Sequence, residues 1–318
     1  MNKKEINWLK SFAQNWKDRE AHGRVPHAVL LTGPAGVGKR AAASWIAARR
    51  LDASVDAPLP VYPVPRLEHA DLHWIAPLED KHTIGIEQVR DLVAELSLTS
   101  YEGHGKVAVI EPANAMTHNA ANSLLKTLEE PPGDTILVLV ADRAGRLPAT
   151  IFSRCQRIDI AAPKEAGSLA WLDQLQPGAD WRAALKLAGG APLAAVAALD
   201  ELDTHAQMSR DFIGVARGRL SPLKVAAAWV KLDTAFVLDW LARQVQEAIL
   251  LTAGRAQSPG TPTMDESVLK RMDTRNLFCY LDIINRLRGQ PKGSFNVQLT
   301  LETLLIDWSE GLAPRKTV

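Results

Sequence analysis

Short apolar segments alternate with amphipathic ones up to about residue 160. Two of them, Val107–Ile110 and Ile136–Val140, are apolar at every position, which is typical of strands buried on both faces of a parallel sheet. With three further runs, the expected strands are His27–Thr32, Asp71–Ile75, Lys106–Ile110, Thr135–Ala141 and Arg157–Ile160. The alternation predicts an α/β domain in which helices wrap a parallel sheet and the two fully apolar strands are central.

Helical segments between these strands carry start and stop signals. Residues 86–98 repeat apolar positions at helical spacing, and Thr117 is suited to cap a helix that runs to Glu130. Pro131 and Pro132 then end that helix, because proline lacks the amide proton that a helix interior needs. Residues 52–66, which contain Pro58, Pro60, Pro63 and Pro65, predict an irregular loop.

Strand patterns disappear after Pro163, and the remaining chain predicts helices alone. These helices span 171–175, 181–187, 192–202, 209–217, 222–232, 235–251, 267–288 and 297–310, with glycine-containing breaks between several of them. We therefore predict three domains: an α/β domain at residues 1–162, a small helical domain at 163–207 and a larger helical domain at 208–318.

Composition excludes several classes of protein. The chain is 47% hydrophobic and 23% charged, which is typical of globular proteins, and its 37 Lys and Arg residues balance 36 Asp and Glu residues. Such a neutral surface offers too few phosphate contacts for a sequence-specific DNA binder. No uncharged stretch reaches the roughly 18 residues of a membrane span, and Glu5 precedes any apolar run, unlike a secretory signal.

The two cysteines, Cys155 and Cys279, are too few for a disulfide framework or a four-thiolate zinc site. This usage predicts a reducing, cytoplasmic location. We expect Cys155 to be a packed, unreactive side chain.

A phosphate-binding loop is predicted where the first strand meets the following helix. The glycines at 33, 36 and 38 allow backbone amides to turn toward phosphate oxygens, and Lys39 is placed to reach the outer phosphates. Arg40 then occupies the position at which a Ser or Thr hydroxyl normally binds magnesium. Either Arg40 contacts a phosphate directly and binding survives without metal, or it is a solvated residue at a degenerate site.

The residues that hydrolyse ATP are also altered. An active site of this kind ends its third strand in an Asp that holds magnesium and a Glu that activates water, whereas this strand ends in Glu111 and Pro112. Proline cannot act as a base, and a positioned base usually contributes about 10²- to 10⁴-fold in rate. We predict that the chain does not turn over ATP at a useful rate.

Two long segments carry a family resemblance. Asn122–Pro132, which reads Asn-Ser-Leu-Leu-Lys-Thr-Leu-Glu-Glu-Pro-Pro, and Leu147–Cys155, which ends in Ser-Arg-Cys, closely resemble segments of clamp-loader ATPases of the AAA+ class. Further similarity lies in Ala70–Trp74, Ile86–Arg90 and Leu301–Trp308. The resemblance covers nearly the whole chain, most strongly from 27 to 160, and points to a rigid, ATPase-deficient member of the bacterial DNA polymerase III clamp loader.

This resemblance implies an AAA+ P-loop sheet domain, a small helical lid and an all-α collar through which the subunits oligomerise. It implies as partners the motor ATPase subunits, a delta-like subunit, and, through the complex, a sliding clamp and primed DNA. It implies that the chain requires no cofactor and contacts no membrane. Residual binding of a nucleotide in the loop is compatible with it. The isolated chain is then not an enzyme, but part of the DNA-directed DNA polymerase holoenzyme, a nucleotidyltransferase.

The resemblance also implies that Arg154 acts in trans, as a catalytic arginine finger for the ATP bound by the adjacent motor subunit. A guanidinium suits this role because it is always charged and presents paired donors to a phosphoryl group. From spacing alone, a surface arginine paired with an acid such as Asp159 is the simpler interpretation. The Ser-Arg-Cys context favours the finger.

Several departures from the family matter. The loop after the P-loop helix has no cysteine, so we predict no zinc, and His69 and His73 alone are weak evidence for a metal. Asp142 follows the fourth strand, where an active site keeps a polar sensor, and it would repel phosphate. After Gly189–Pro192, where motor subunits often place a sensing arginine, none follows until Arg210. The alternatives are a working AAA+ motor and an unrelated P-loop enzyme such as a small-molecule kinase. The kinase would leave the Leu-Leu-Lys-Thr-Leu-Glu-Glu-Pro-Pro segment and the helical C-terminal third without a role.

Overall fold

The computed structural model describes residues 3–51, 58–79, 81, 83–142, 147–254, 272–290 and 294–312. The chain divides into two compact units, Met1–Asp200 and Glu201–Val318. The predicted three-domain division remains a prediction, but its boundary near residue 207 falls inside the helix Leu202–Ala216.

The first unit is built on a five-stranded parallel sheet. Its strands are β2 (Ala28–Thr32), β4 (Leu72–Ile75), β5 (Lys106–Ile110), β6 (Thr135–Ala141) and β7 (Gln156–Asp159), in the spatial order β4-β5-β6-β2-β7. Every residue of β2, β5 and β6 is buried, as their continuous apolar runs require. The predicted parallel sheet and the central position of β5 and β6 are confirmed.

Helices cover both faces of this sheet. They are α2 (Lys39–Arg50), α3 (Ile86–Ser97), α4 (His118–Glu129) and α5 (Ala149–Phe152), and α1 (Lys10–Ala21) packs on α2 through Phe12 and Trp45. Alternate strand residues such as Leu30, Ala108 and Leu137 pack with α3, α4 and α5, while α2 packs on β2, β5 and β6. Thr117 caps α4 as predicted, since its side chain accepts the amide proton of Ala120 at 3.2 Å.

A small second sheet was not expected. Strand β1 (Lys4–Glu5) pairs antiparallel with β3 (Val61–Tyr62), within the segment 52–66 that was predicted to be irregular. That prediction is wrong at 61–62, and residues 52–57 lie outside the described residues. A two-residue strand between prolines has no periodicity to detect, because its partner lies far away in the sequence.

Three helices complete the first unit: α6 (Glu165–Asp173), α7 (Trp181–Leu187) and α8 (Pro192–Asp200). They pack on one another, and the indole of Trp171 in α6 donates to the carbonyl of Glu5 at 2.7 Å. This contact joins the helical part to the N-terminal strand.

The second unit is helical throughout its described residues. It contains α9 (Leu202–Ala216), α10 (Pro222–Trp229), α11 (Thr234–Thr252), α12 (Thr274–Arg288) and α13 (Val297–Ser309). Its core is aromatic: Trp229, Trp240 and Trp308 are each at most 2% exposed, and the ring of Phe212 stacks on Trp308 with centroids 4.1 Å apart. These three tryptophans are therefore core residues of the second unit. The predicted start of α12 at residue 267 lies outside the described residues.

No single helix in the described ranges is long and apolar enough to cross a bilayer. By length and composition alone, the bent pair α7 and α8, at 109° to each other, meets that test.

Candidate functional site

The predicted phosphate loop, residues 33–40, lies at the carboxyl edge of the sheet. It connects β2 to α2, and the parallel register brings the ends of β2, β5 and β6 to the same edge. Glu111 and Asp142, which directly follow β5 and β6, therefore reach the loop.

The three loop glycines have left-handed backbone conformations, with φ of 142° at Gly33, 78° at Gly36 and 100° at Gly38. A Cβ atom on Gly36 would lie 2.4 Å from the Cβ of Ala194 in α8, and one on Gly33 would lie 2.0 Å from the carbonyl oxygen of Ile160. Glycine is required at these two positions because neighbouring chain occupies the space of a side chain.

Lys39 is fully engaged by its own chain. Its ammonium donates to the carbonyl oxygens of Gly33 at 2.8 Å and Pro34 at 2.5 Å, and it lies 2.7 Å from a carboxylate oxygen of Asp142. These three contacts match the three protons of an ammonium group, and only 3% of the side chain is exposed. Asp142 therefore supplies the negative charge that a phosphate would otherwise bring to Lys39.

Arg40 points to solvent beside Glu111. Its side chain is 66% exposed, its Nε lies 3.5 Å from a carboxylate oxygen of Glu111, and its guanidinium lies 5.4 Å from the ring centroid of Trp74. Burial raises the pKa of the Glu111 carboxyl, and the positive charge of Arg40 partly offsets this shift. A carboxylate already paired with an arginine is a poor substitute for a magnesium ligand.

The outer side of the loop is covered by the N-terminal segment and by α8. Nothing in the sequence indicated that either of them contacts the loop. The indole of Trp8 donates to the carbonyl of Val37 at 2.9 Å, and the amide of Leu193, at the start of α8, donates to the carbonyl of Gly36 at 2.9 Å. Trp8 in turn packs edge-on against Trp171, with centroids 5.0 Å apart. No motif marks Trp8, because its role depends on where the N-terminal segment folds.

Gly189–Pro192 ends in the first residue of α8, the helix that contacts the loop. The first side chains of α8 at the loop are Leu193 and Ala194, which carry no charge. Arg210, the next arginine expected from the sequence, belongs to α9 of the other unit, where it donates to Gln207 at 2.7 Å.

Arg154 belongs to the second long motif segment, 147–155, and its side chain contacts Glu129 of the first, 122–132. Its Nε donates to a carboxylate oxygen of Glu129 at 2.6 Å, and its Nη2 forms an ion pair with the same oxygen. Its Nη1 donates to the carbonyl of Thr150 at 3.1 Å and to the hydroxyl of Ser153 at 3.2 Å. The side chain remains 30% exposed, so Arg154 is held by its own chain without being enclosed.

The acid suggested by spacing has a different partner. Asp159 pairs with Arg157, whose Nη2 lies 2.8 Å from the carboxylate. Glu129 was not connected with Arg154 beforehand because 25 residues separate them, and only the packing of α4 against α5 brings them together.

Cys155 follows Arg154 and is partly buried, whereas Cys279 is exposed. Burial raises the pKa of the Cys155 thiol to about 12, so that almost none of it is thiolate near neutral pH.

We expect a thiol reagent to modify Cys279 alone in the folded chain and both cysteines in denaturant. Mass spectrometry of the labelled peptides measures this, with Cys279→Ser as the control that should remain unlabelled while folded. Rapid native labelling of Cys155 would contradict the expectation.

Of the two histidines considered as metal ligands, His69 has partners within the chain, whereas the buried Nε2 of His73 has no hydrogen-bond partner among the described residues. The Nδ1 of His69 accepts the amide proton of Asp71 at 3.0 Å, and its Nε2 lies 3.2 Å from a carboxylate oxygen of Glu102. His73 lies in β4, as predicted, and burial lowers its pKa. Among the described residues, no three His, Cys, Asp or Glu side chains come together as a metal site. The absence of zinc remains a prediction.

A glycine-rich loop at the carboxyl edge of this parallel sheet, followed by three helices of which α8 contacts the loop, has the fold of the AAA+ class. The solved structure of a DNA polymerase III gamma-subunit-related protein from Thermotoga maritima is similar to this chain over nearly its whole length, which supports the fold. That structure matches with a TM-score of 0.53 and 19% identity over 96% of this chain and 99% of its own.

Sequence comparison identifies the member of the class. A family model described as DNA polymerase III, delta subunit, matches residues 8–164. Subunit delta' of DNA polymerase III from Pseudomonas aeruginosa is 32% identical, over 92% of this chain and 95% of its own length. The delta' subunit of Escherichia coli K12 is 39% identical over 77% of this chain and 76% of its own length. The chain belongs to the delta' subunit family of the DNA polymerase III clamp loader.

Proposed function

We propose that this chain is an ATPase-deficient clamp-loader subunit that lends Arg154 to the ATP site of a neighbouring motor subunit. In this role it helps the assembly to place a sliding clamp on primed DNA, and it acts in the cytoplasm. Its partners are the motor ATPase subunits and a delta-like subunit. The chain needs no cofactor of its own for this function.

One contrast supports the proposal best. The cation of the chain's own phosphate loop, Lys39, is 3% exposed and neutralised by Asp142, whereas the cation of the Ser-Arg-Cys segment, Arg154, is 30% exposed at the surface. A lysine that is already bonded three times must give up those bonds before it can bind a phosphate. A partly exposed arginine can instead approach a phosphate that another subunit brings.

The altered loop adds to this argument. Arg40 stands in place of the magnesium hydroxyl, and Pro112 in place of the base that activates water. Trp8 and Leu193 also bond to the outer carbonyls of the loop, which helps to fix its present conformation. Each obstacle by itself slows hydrolysis, and together they favour a subunit that does not turn over ATP.

The alternative of a working motor can be tested with a substitution in the loop itself. We expect Lys39→Met, in a clamp loader reconstituted from purified subunits, to leave DNA-stimulated ATPase within about two-fold of wild type, because this site contributes no turnover. Size-exclusion chromatography should show that the complex still assembles. The matched control is the same substitution in the P-loop lysine of a motor subunit, which should strongly lower the rate. Equal losses from both substitutions would show that this chain is itself a motor.

A further inference from the structure

Glu129 occupies an unfavourable place for an acid. It is the last residue of α4, and Glu130 follows it before Pro131. The carboxyl end of a helix carries partial negative charge, so two consecutive carboxylates there repel the helix end and each other. A residue that opposes its local environment in this way needs a compensating contact, and such residues often mark functional sites.

The compensating contact of Glu129 is Arg154. One oxygen of Glu129 is bonded to both Nε and Nη2 of the guanidinium, while Nη1 is bonded to Thr150 and Ser153. All three nitrogens therefore have partners, and the side chain is held in one orientation. Glu130 lies at the same end of α4 and is also exposed, but no ion pair joins it to another described residue.

We propose that Glu129 is a positioning residue, which holds the guanidinium of Arg154 in the orientation that the neighbouring subunit's triphosphate requires. This inference rests on the proposed function. It assigns Glu129 no contact with the nucleotide. Its effect on the neighbouring site passes entirely through Arg154.

The pairing with Glu129 fixes the orientation of Arg154 more than it cancels the positive charge of Arg154, for two reasons. The four contacts use at most four of the five N–H groups of the guanidinium, so at least one on Nη2 is left for a phosphate oxygen. The Glu129 side chain is also 49% exposed, so water screens its charge far more than it would inside the protein. A free arginine would instead have to lose its rotamer freedom each time the neighbouring site reaches its transition state.

The test uses the reconstituted clamp loader with substitutions in this chain alone. We expect Glu129→Ala to lower the DNA-stimulated turnover number on the order of 3- to 10-fold, the cost of an arginine that must be ordered anew. The KM for ATP should change little, because the arginine acts on the transition state. Glu129→Gln, which keeps a hydrogen-bond acceptor, should recover part of the rate. Glu130→Ala is the matched control and should equal wild type.

A double substitution separates positioning from general damage. If Glu129 acts through Arg154, Arg154→Ala with Glu129→Ala should be no slower than Arg154→Ala alone. If Glu129→Ala impairs assembly in size-exclusion chromatography, the comparison is made with Glu129→Gln, which keeps the size of the side chain.

The outcomes distinguish this inference from the proposed function. An unchanged rate for Arg154→Ala would overturn both. A reduced rate for Arg154→Ala with an unchanged or increased rate for both Glu129 variants would overturn only the role of Glu129. A rate in the double variant well below that of Arg154→Ala alone would likewise contradict positioning.

Discussion

Replacing Arg154 with Ala should lower DNA-stimulated ATPase of a reconstituted clamp loader at least several-fold while the complex still assembles. Arginine fingers contribute about 10³- to 10⁵-fold in the GTPases where they have been measured. The loss in the whole complex is expected to be smaller than at one site, because the other motor sites do not contact this residue.

The physical reason is the charge that develops on the transferred phosphoryl group. A guanidinium delivered from the next subunit neutralises this charge with fixed donors, in a site from which water is excluded. Arg154→Lys keeps the charge but loses the paired donors, so we expect a rate between wild type and Arg154→Ala. Steady-state ATPase at saturating primed DNA and clamp measures both variants.

Arg157→Ala is the matched control for this experiment. Arg157 lies three residues away, is 53% exposed and pairs with Asp159 within its own chain. Its removal should leave the rate near wild type. Equal rates for Arg154→Ala and wild type would count against a role in trans, and equal losses from both arginines would indicate a general effect of surface charge.

Phe212→Ala should destabilise the second unit by about 3–5 kcal/mol, a large part of the ~5–15 kcal/mol that stabilises a typical domain. Phe212 is 2% exposed, and its ring lies 4.1 Å from that of Trp308 and 5.5 Å from that of Trp240. Truncation leaves a cavity between indoles that are too large and too constrained to fill it. Urea denaturation followed by circular dichroism measures the change.

Phe278→Ala provides the control, because the side chain of Phe278 is 53% exposed. We expect its effect to stay within about 0.5 kcal/mol, as for most surface substitutions. Hydrogen exchange should place the loss caused by Phe212→Ala in α9–α13 and leave β2, β5 and β6 protected. A loss from Phe212→Ala as small as that from Phe278→Ala would show that the aromatic cluster does not stabilise the unit.

Much of the architecture could be predicted from local pattern. The uniformly apolar runs of β5 and β6 indicated buried central strands, and Thr117 with Pro131 marked both ends of α4. These features could be predicted because strand burial, helix caps and proline breaks depend on residues close together in sequence. The motif segments likewise indicated the family without knowledge of any contact.

Helix boundaries were less accurate where packing outweighed propensity. Helix α6 begins at Glu165, six residues before the predicted start, and α9 begins at Leu202 where Ser209 was expected. Short helices take much of their stability from tertiary contacts, so their ends depend on neighbouring elements. The pairing of β1 with β3 is an extreme case, because neither strand has a pattern of its own.

The character of the site depended on the fold in a different way. Sequence alone identified Lys39, Asp142 and Arg154 as residues of interest, since each occupies a recognisable position beside a strand or within a motif. It did not show that Asp142 neutralises Lys39, that Trp8 covers the loop, or that Glu129 holds Arg154. Those contacts join residues 25 to 103 positions apart, and only the packing of whole elements sets such distances.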